Sequence, residues 1–157
     1  MSDAIQVAVL SGSPSDAEFV QACTDQLGAF GIAHEARALS AHRQGEALHE
    51  FMQEAEKRGC QVYIAMAGMA AHLPGVVASL TPRPVLGVPL KGGVMDGLDA
   101  LLSVVQMPKG VPVGTLAVGK AGARNAAILA AQILAVADEG LAAQIREFKA
   151  DMASGAR

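Results

Sequence analysis

Three short segments of this chain gather residue types capable of chemistry. Ser40-Ala41-His42-Arg43 sets an imidazole beside a guanidinium, with a hydroxyl two positions upstream. Imidazole can give and take a proton near neutral pH, and a guanidinium can clamp a phosphate or carboxylate through two parallel hydrogen bonds. Gly12-Ser13-Pro14-Ser15-Asp16 supplies a tight turn, two hydroxyls and a carboxylate just before a helical pattern. Free N–H groups at a helix start attract anions, so this loop is a candidate phosphate cradle. Ser15 and Asp16 are equally suited to plain helix capping, and a carboxylate at position 16 suits sugar hydroxyls better than phosphate. Gly68-Met69-Ala70-Ala71-His72-Leu73 joins small residues, which let a planar ligand lie close to main-chain donors and acceptors, to a second histidine. Three roles stay open for His72: holding ligand, orienting His42, or capping the following helix.

Elements must bring these segments together, and the apolar pattern says which. Ile5–Ser11, His34–Leu39, Val62–Ala67, Pro84–Val88 and Thr115–Val118 read as strands. Ser15–Phe30, Glu46–Arg58, His72–Leu80, Val94–Val105, Gly122–Val136 and Asp138–Ala153 read as helices, with Gly31 and Gly59 as stops. Strand–helix alternation predicts a parallel sheet covered on both faces. The fold class expected is a flavodoxin-like three-layer αβα arrangement with five strands (or slightly more) in the order 2-1-3-4-5, plus a C-terminal helix. In such sheets ligands bind at the carboxyl ends of the strands, near the switch in strand order. All three segments fall on loops leaving the first three strands.

Composition bounds the rest. A chain of 157 residues, 52% hydrophobic and 17% charged, is expected to fold as a single domain, with a core over about 5–137 and a helix over about 138–153. With 12 Lys and Arg against 15 Asp and Glu the net charge is −3, which argues against nucleic acid or an anionic membrane as partner. No apolar run reaches membrane-spanning length, and Met1-Ser2-Asp3-Ala4 lacks the basic start of a leader. Cys23 and Cys60 read as reduced thiols, and the expected compartment is the cytoplasm. Ala reaches 31 and Gly 17, with no Trp and Tyr63 the sole Tyr, so few rings could stack on a flavin. A receiver-type switch would need an acidic residue ending the third strand, where Ala65-Met66-Ala67 stands. The mean hydropathy of +0.34 suggests apolar surface buried between subunits. Neither metal-ligand spacing nor a Walker loop is present.

Taken together, Gly12–Asp16, Ser40–Arg43, Ala70–Gly75, Val85–Pro89 and the long run Ser103–Ala127 occur in the order found in the N5-carboxyaminoimidazole ribonucleotide mutases, the PurE family. The chain resembles that family over about residues 5–137. The resemblance implies an isomerase of purine (IMP) biosynthesis, an intramolecular transferase that moves a carboxylate from the exocyclic nitrogen of its nucleotide substrate to C4 of the imidazole ring. It implies a homo-octamer with active sites shared between subunits, and no cofactor. His42 matches the histidine that shuttles the proton, and Arg43 the phosphate-binding arginine. Ser13 and Asp16 match positions at the ribose phosphate end and Ser40 a phosphate-side hydroxyl, and Ser15 and Ala41 are expected to bind substrate with them. Gly68, Ala70, Ala71, His72 and Leu73 match the loop around the base and the migrating carboxyl group. A second class of the family carboxylates aminoimidazole ribonucleotide directly with carbon dioxide. It typically carries Lys where this chain has Arg43 and a Ser-Asn loop where this chain has Ala70-Ala71-His72, so the residues here favour the mutase. Three departures stand out: Gln44-Gly45 follows Arg43 in place of Thr-Pro, Met69 replaces a glycine, and no serine stands near Gly92.

Overall fold

The computed structural model describes residues 4–156; Met1–Asp3, part of the N-terminal reading above, lie outside them. Five parallel strands form one sheet in the order β2-β1-β3-β4-β5: β1 Val7–Ser11, β2 His34–Ala38, β3 Val62–Ala67, β4 Val85–Pro89 and β5 Gly114–Thr115. Helices α1 Ala17–Ala29, α2 Gly45–Lys57, α3 Leu73–Leu80, α4 Leu98–Val105, α5 Lys120–Ala135 and α6 Glu139–Ala153 complete the element order.

Residues alternate across the pleat, so each central strand feeds two cores. Val7, Val9, Val62, Ile64, Met66, Leu86 and Val88 pack with residues of α1, α5 and α6. Ala8, Leu10, Tyr63, Ala65, Ala67 and Val85 pack with residues of α2, α3 and α4. That is why the central strands read as unbroken apolar runs. The Ala-rich composition finds its use in α5, where Gly122, Ala123, Ala126, Ala127, Ala130 and Ala131 are all buried. Their short side chains let α5 lie close to α1. Gly122 has no alternative, because a Cβ there would run into the carbonyl oxygen of Ala117. Helix α6 closes one end of this layer with Phe148 edge-on to Phe30, ring centroids 5.4 Å apart.

Several boundaries differ from the sequence-based expectation. The first helix is preceded by a 3-10 turn, Pro14–Asp16, because the proline and the Ser13 cap tighten that turn. The helix expected over 94–105 is broken. A 3-10 turn, Val94–Asp96, leads through Gly97 at φ 112° into α4. Met95 and Asp96 adopt φ of 51° and 52°, a left-handed backbone no helix continues through. The fifth strand is two residues long and ends at Thr115, not Val118. The chain still follows β4 beyond it, through Leu116 N–H to Gly87 O and Gly119 N–H to Pro89 O, but the regular ladder is lost.

Candidate functional site

The register places the loops after β1, β2 and β3 side by side, since Ser11 pairs with both Ala38 and Met66. Leu39 N–H donates to Ser11 O at 2.8 Å and Gly12 N–H to Met66 O at 3.2 Å, tying both outer loops to the centre.

In the first loop Ser13 caps the 3-10 turn. Its Oγ accepts from Ser15 N–H at 3.2 Å and from the Ser15 hydroxyl at 2.9 Å, while its own N–H donates to Asp16 Oδ2 at 3.1 Å. The capping weighed for Ser15 and Asp16 falls to Ser13 instead: Asp16 closes the box from the third position of the turn, and its side chain makes no capping bond to α1. Partial burial pushes the Asp16 carboxyl up from the ordinary carboxylate value, and the Ser13 N–H draws it partly back.

The second loop is held by its own side chains. Ser40 N–H donates to Gln44 Oε1 at 3.1 Å, and Gln44 N–H returns a bond to Ser40 O at 2.8 Å. Gln44, one of the departures from the family pattern, thus fastens the loop that carries His42. The buried Ser40 hydroxyl accepts from both the backbone N–H and Nε of Arg43, each at 3.3 Å. His42 and Arg43 are themselves exposed at the rim.

The third loop turns sharply at Met69, whose φ is 54°. Ala71 N–H donates to Met69 O and His72 N–H to Ala70 O. Leu73 and Pro74 then open α3, and the His72 side chain makes no capping bond to that helix. The imidazole instead reaches across to the second loop. His42 Nε2 lies 2.6 Å from His72 Nδ1, with the rings nearly perpendicular at 81°.

Between these loops lies a cavity of about 260 Å³ lined by Ser40, Ala41, His42, Arg43, Ala70, His72 and Leu73, with Gly12 and Ala67 completing its floor. Seven of the residues singled out from the sequence meet on this wall. Ser13 lines a separate hollow between α1 and β2, together with Arg37. Ser15, Asp16, Gly68 and Ala71 lie off the cavity wall, and the Ala71 side chain is buried beneath it. Gly12 and Ala67 were not singled out individually. The available signal was their position, one residue past paired positions of β1 and β3, where only small side chains leave room. Among the described residues, no three His, Cys, Asp or Glu side chains cluster as a metal site.

A 2-1-3-4-5 parallel sheet with a histidine- and arginine-lined cavity at its switch point defines a flavodoxin-like three-layer α/β protein. The chain belongs to the AIR carboxylase family, whose model matches residues 6–155. It is 53% identical over 147 residues to the N5-carboxyaminoimidazole ribonucleotide mutase of Saccharolobus solfataricus, covering 94% of this chain and 92% of that one. It is 52% identical to the mutase of Brucella melitensis (92% and 90% covered) and 48% identical to that of Escherichia coli K12 (92% and 85% covered). Among solved structures it resembles Treponema denticola PurE, with a TM-score of 0.88 at 27% identity, covering 96% of this chain and 92% of that one.

Proposed function

We propose that this protein converts N5-carboxyaminoimidazole ribonucleotide to 4-carboxy-5-aminoimidazole ribonucleotide, as the relatives' names describe for them. The observation that carries this reading is the convergence of His42, Arg43, Ser40 and the Ala70–Leu73 segment on one cavity, in a chain about half identical to those mutases.

Arg43 and Ser40 take the phosphate, with Ser13, Ser15, Asp16 and Ala41 along the ribose phosphate end. Ala70, His72 and Leu73 border the base, with Gly68 and Ala71 supporting that loop from behind. Anchoring the phosphate far from the reacting atoms holds the ring in place without stabilising the ground state at the reacting centre. In the cavity the bond from the exocyclic nitrogen to the carboxylate breaks and carbon dioxide leaves, its bonding pair staying on nitrogen. Protonated His42 gives that nitrogen a proton. Ring C4 then bonds to the retained carbon dioxide, and the C4 proton passes to the now neutral His42. The histidine ends as it began and no proton is consumed. A site that excludes water keeps carbon dioxide from escaping. We further propose a cytoplasmic homo-octamer acting on this small nucleotide, as one domain, without nucleic acid, membrane or cofactor.

The family model's own description, AIR carboxylase, keeps a second reading in play: direct carboxylation of aminoimidazole ribonucleotide. Incubation with N5-carboxyaminoimidazole ribonucleotide, and separately with aminoimidazole ribonucleotide plus bicarbonate, decides between them. Product mainly from the first mixture is expected. Product at least as fast from the second makes the protein a carboxylase, and no product from either overturns both readings.

A further inference from the structure

We infer that His72 is a positioning residue for His42: its Nδ1 accepts the His42 Nε2–H and so leaves Nδ1 of His42 as the nitrogen that works on the substrate. This rests on the reading of His42 as the proton shuttle.

The backbone around His42 is fixed by the bonds between Ser40 and Gln44, but the imidazole itself is exposed at the rim. The hydrogen bond that restrains the ring is the 2.6 Å contact to His72 Nδ1. On its side, His72 is free for this task, since it starts α3 without capping it through its side chain. The two facing nitrogens can share one hydrogen only, so the contact has two possible polarities.

Chemistry selects between them. If His72 Nδ1 carried the hydrogen, the lone pair of neutral His42 would be spent on His72 at Nε2. Its Nδ1 would carry a hydrogen, with no lone pair left there to take the C4 proton. With the hydrogen on His42 Nε2, neutral His42 presents a lone pair at Nδ1, and protonated His42 presents Nδ1–H. One nitrogen then serves first as acid and later as base. His72 keeps Nδ1 as the acceptor, with its own hydrogen on Nε2.

Two variants separate this role from simple ligand contact. His72→Asn keeps an acceptor oxygen near the place of Nδ1, because both atoms are bonded to Cγ. His72→Phe keeps a ring but no acceptor. With N5-carboxyaminoimidazole ribonucleotide, His72→Phe is expected to lose tenfold or more in kcat beyond any change in KM, and His72→Asn to recover most of that kcat. Equal loss in both variants, or loss in KM alone, overturns the assignment.

A second readout needs no turnover. In substrate-free protein labelled with 15N-histidine, under conditions where the 15N shifts show the ring neutral, His42 should be the Nε2–H tautomer. Its signal is identified by its absence in His42→Asn. His72→Phe should convert His42 to a mixture of tautomers. An Nδ1–H wild-type His42, or an unchanged tautomer in His72→Phe, refutes the inference. Failure of the wild type to turn over the nucleotide would sink the proposed reaction, and the tautomer experiment would still decide the role of His72.

Discussion

Arg43 is engaged by its own loop, since Nε and the backbone N–H both point at Ser40 Oγ. That leaves the outer edge of the guanidinium for the proposed phosphate, at a rim where solvent screens weak contacts. Removing it should act on binding rather than on chemistry. Arg43→Ala is expected to raise KM roughly ten- to hundredfold, the worth of one or two charge-assisted hydrogen bonds, with kcat changed much less. Steady-state kinetics measures the split, and an unchanged KM would contradict the phosphate role. Residue type and spacing alone point to His42, Arg43, Ser40 and His72. The pairing of the two histidines across 30 positions is one of the three roles open for His72, and it takes the meeting of loops from different strands to choose it; the fastening role of Gln44 lies in a side-chain turn within its own loop that carries no periodic signal. Met69 was visible only as a departure. The structure shows its cost, a left-handed backbone that glycine would adopt freely and that methionine holds with strain on the order of 1 kcal/mol.

At the scale of elements, alternation with helices gives a parallel sheet that five strands fit in the order 2-1-3-4-5, and although β2 is largely exposed, β1, β3 and β4 were legible because buried parallel strands are apolar on both faces. The segment between β4 and α4 was not. Val94, Met95, Leu98 and Leu102 have helical spacing, yet Gly92, Gly93, Met95, Asp96 and Gly97 all take positive φ. Local carboxylates stabilise that path: Asp96 accepts from Gly92 N–H and Asp99 from Val94 N–H. Side-chain bonds of this kind compete with helix and leave no periodic signal. Gly122 and Gly28 offer a matched test of what packing adds to propensity. Both sit inside helices, where alanine is favoured by up to about 1 kcal/mol. Gly28 is exposed with open space around its missing Cβ, whereas Gly122 faces Ala117 O. Gly28→Ala should gain about 0.5 kcal/mol, while Gly122→Ala should lose about 2 kcal/mol or more as the start of α5 is forced away from the Ala117 backbone. Urea midpoints of the two variants check the sign of each, and a stabilised Gly122→Ala would mean the contact relaxes without consequence.

The whole molecule leaves apolar side chains where a lone subunit would gain nothing from them. Leu98, Leu102 and Val105 lie one turn apart along α4 and are 38%, 52% and 48% exposed. Val94, Met95 and Met69 add exposed apolar surface on the loops after β4 and β3, at the same end of the sheet as the cavity. Scattered single residues of this kind are ordinary, but a row along one helix continued by two loops is a surface that association would bury. The proposed octamer would place this row against neighbouring subunits and cover a site whose His42 and Arg43 stand exposed in the isolated chain. Light scattering of the wild type is therefore expected to give a mass near eight times the 16.0 kDa chain. Leu102→Asp should lower that mass, because a carboxylate in a dry contact must be desolvated without a partner. Its own fold should survive, since position 102 is half exposed in the subunit, and circular dichroism checks that it does. Activity per chain should fall with the assembly. A wild type that scatters as a monomer refutes the octamer, and a Leu102→Asp variant of unchanged mass removes α4 from the contact.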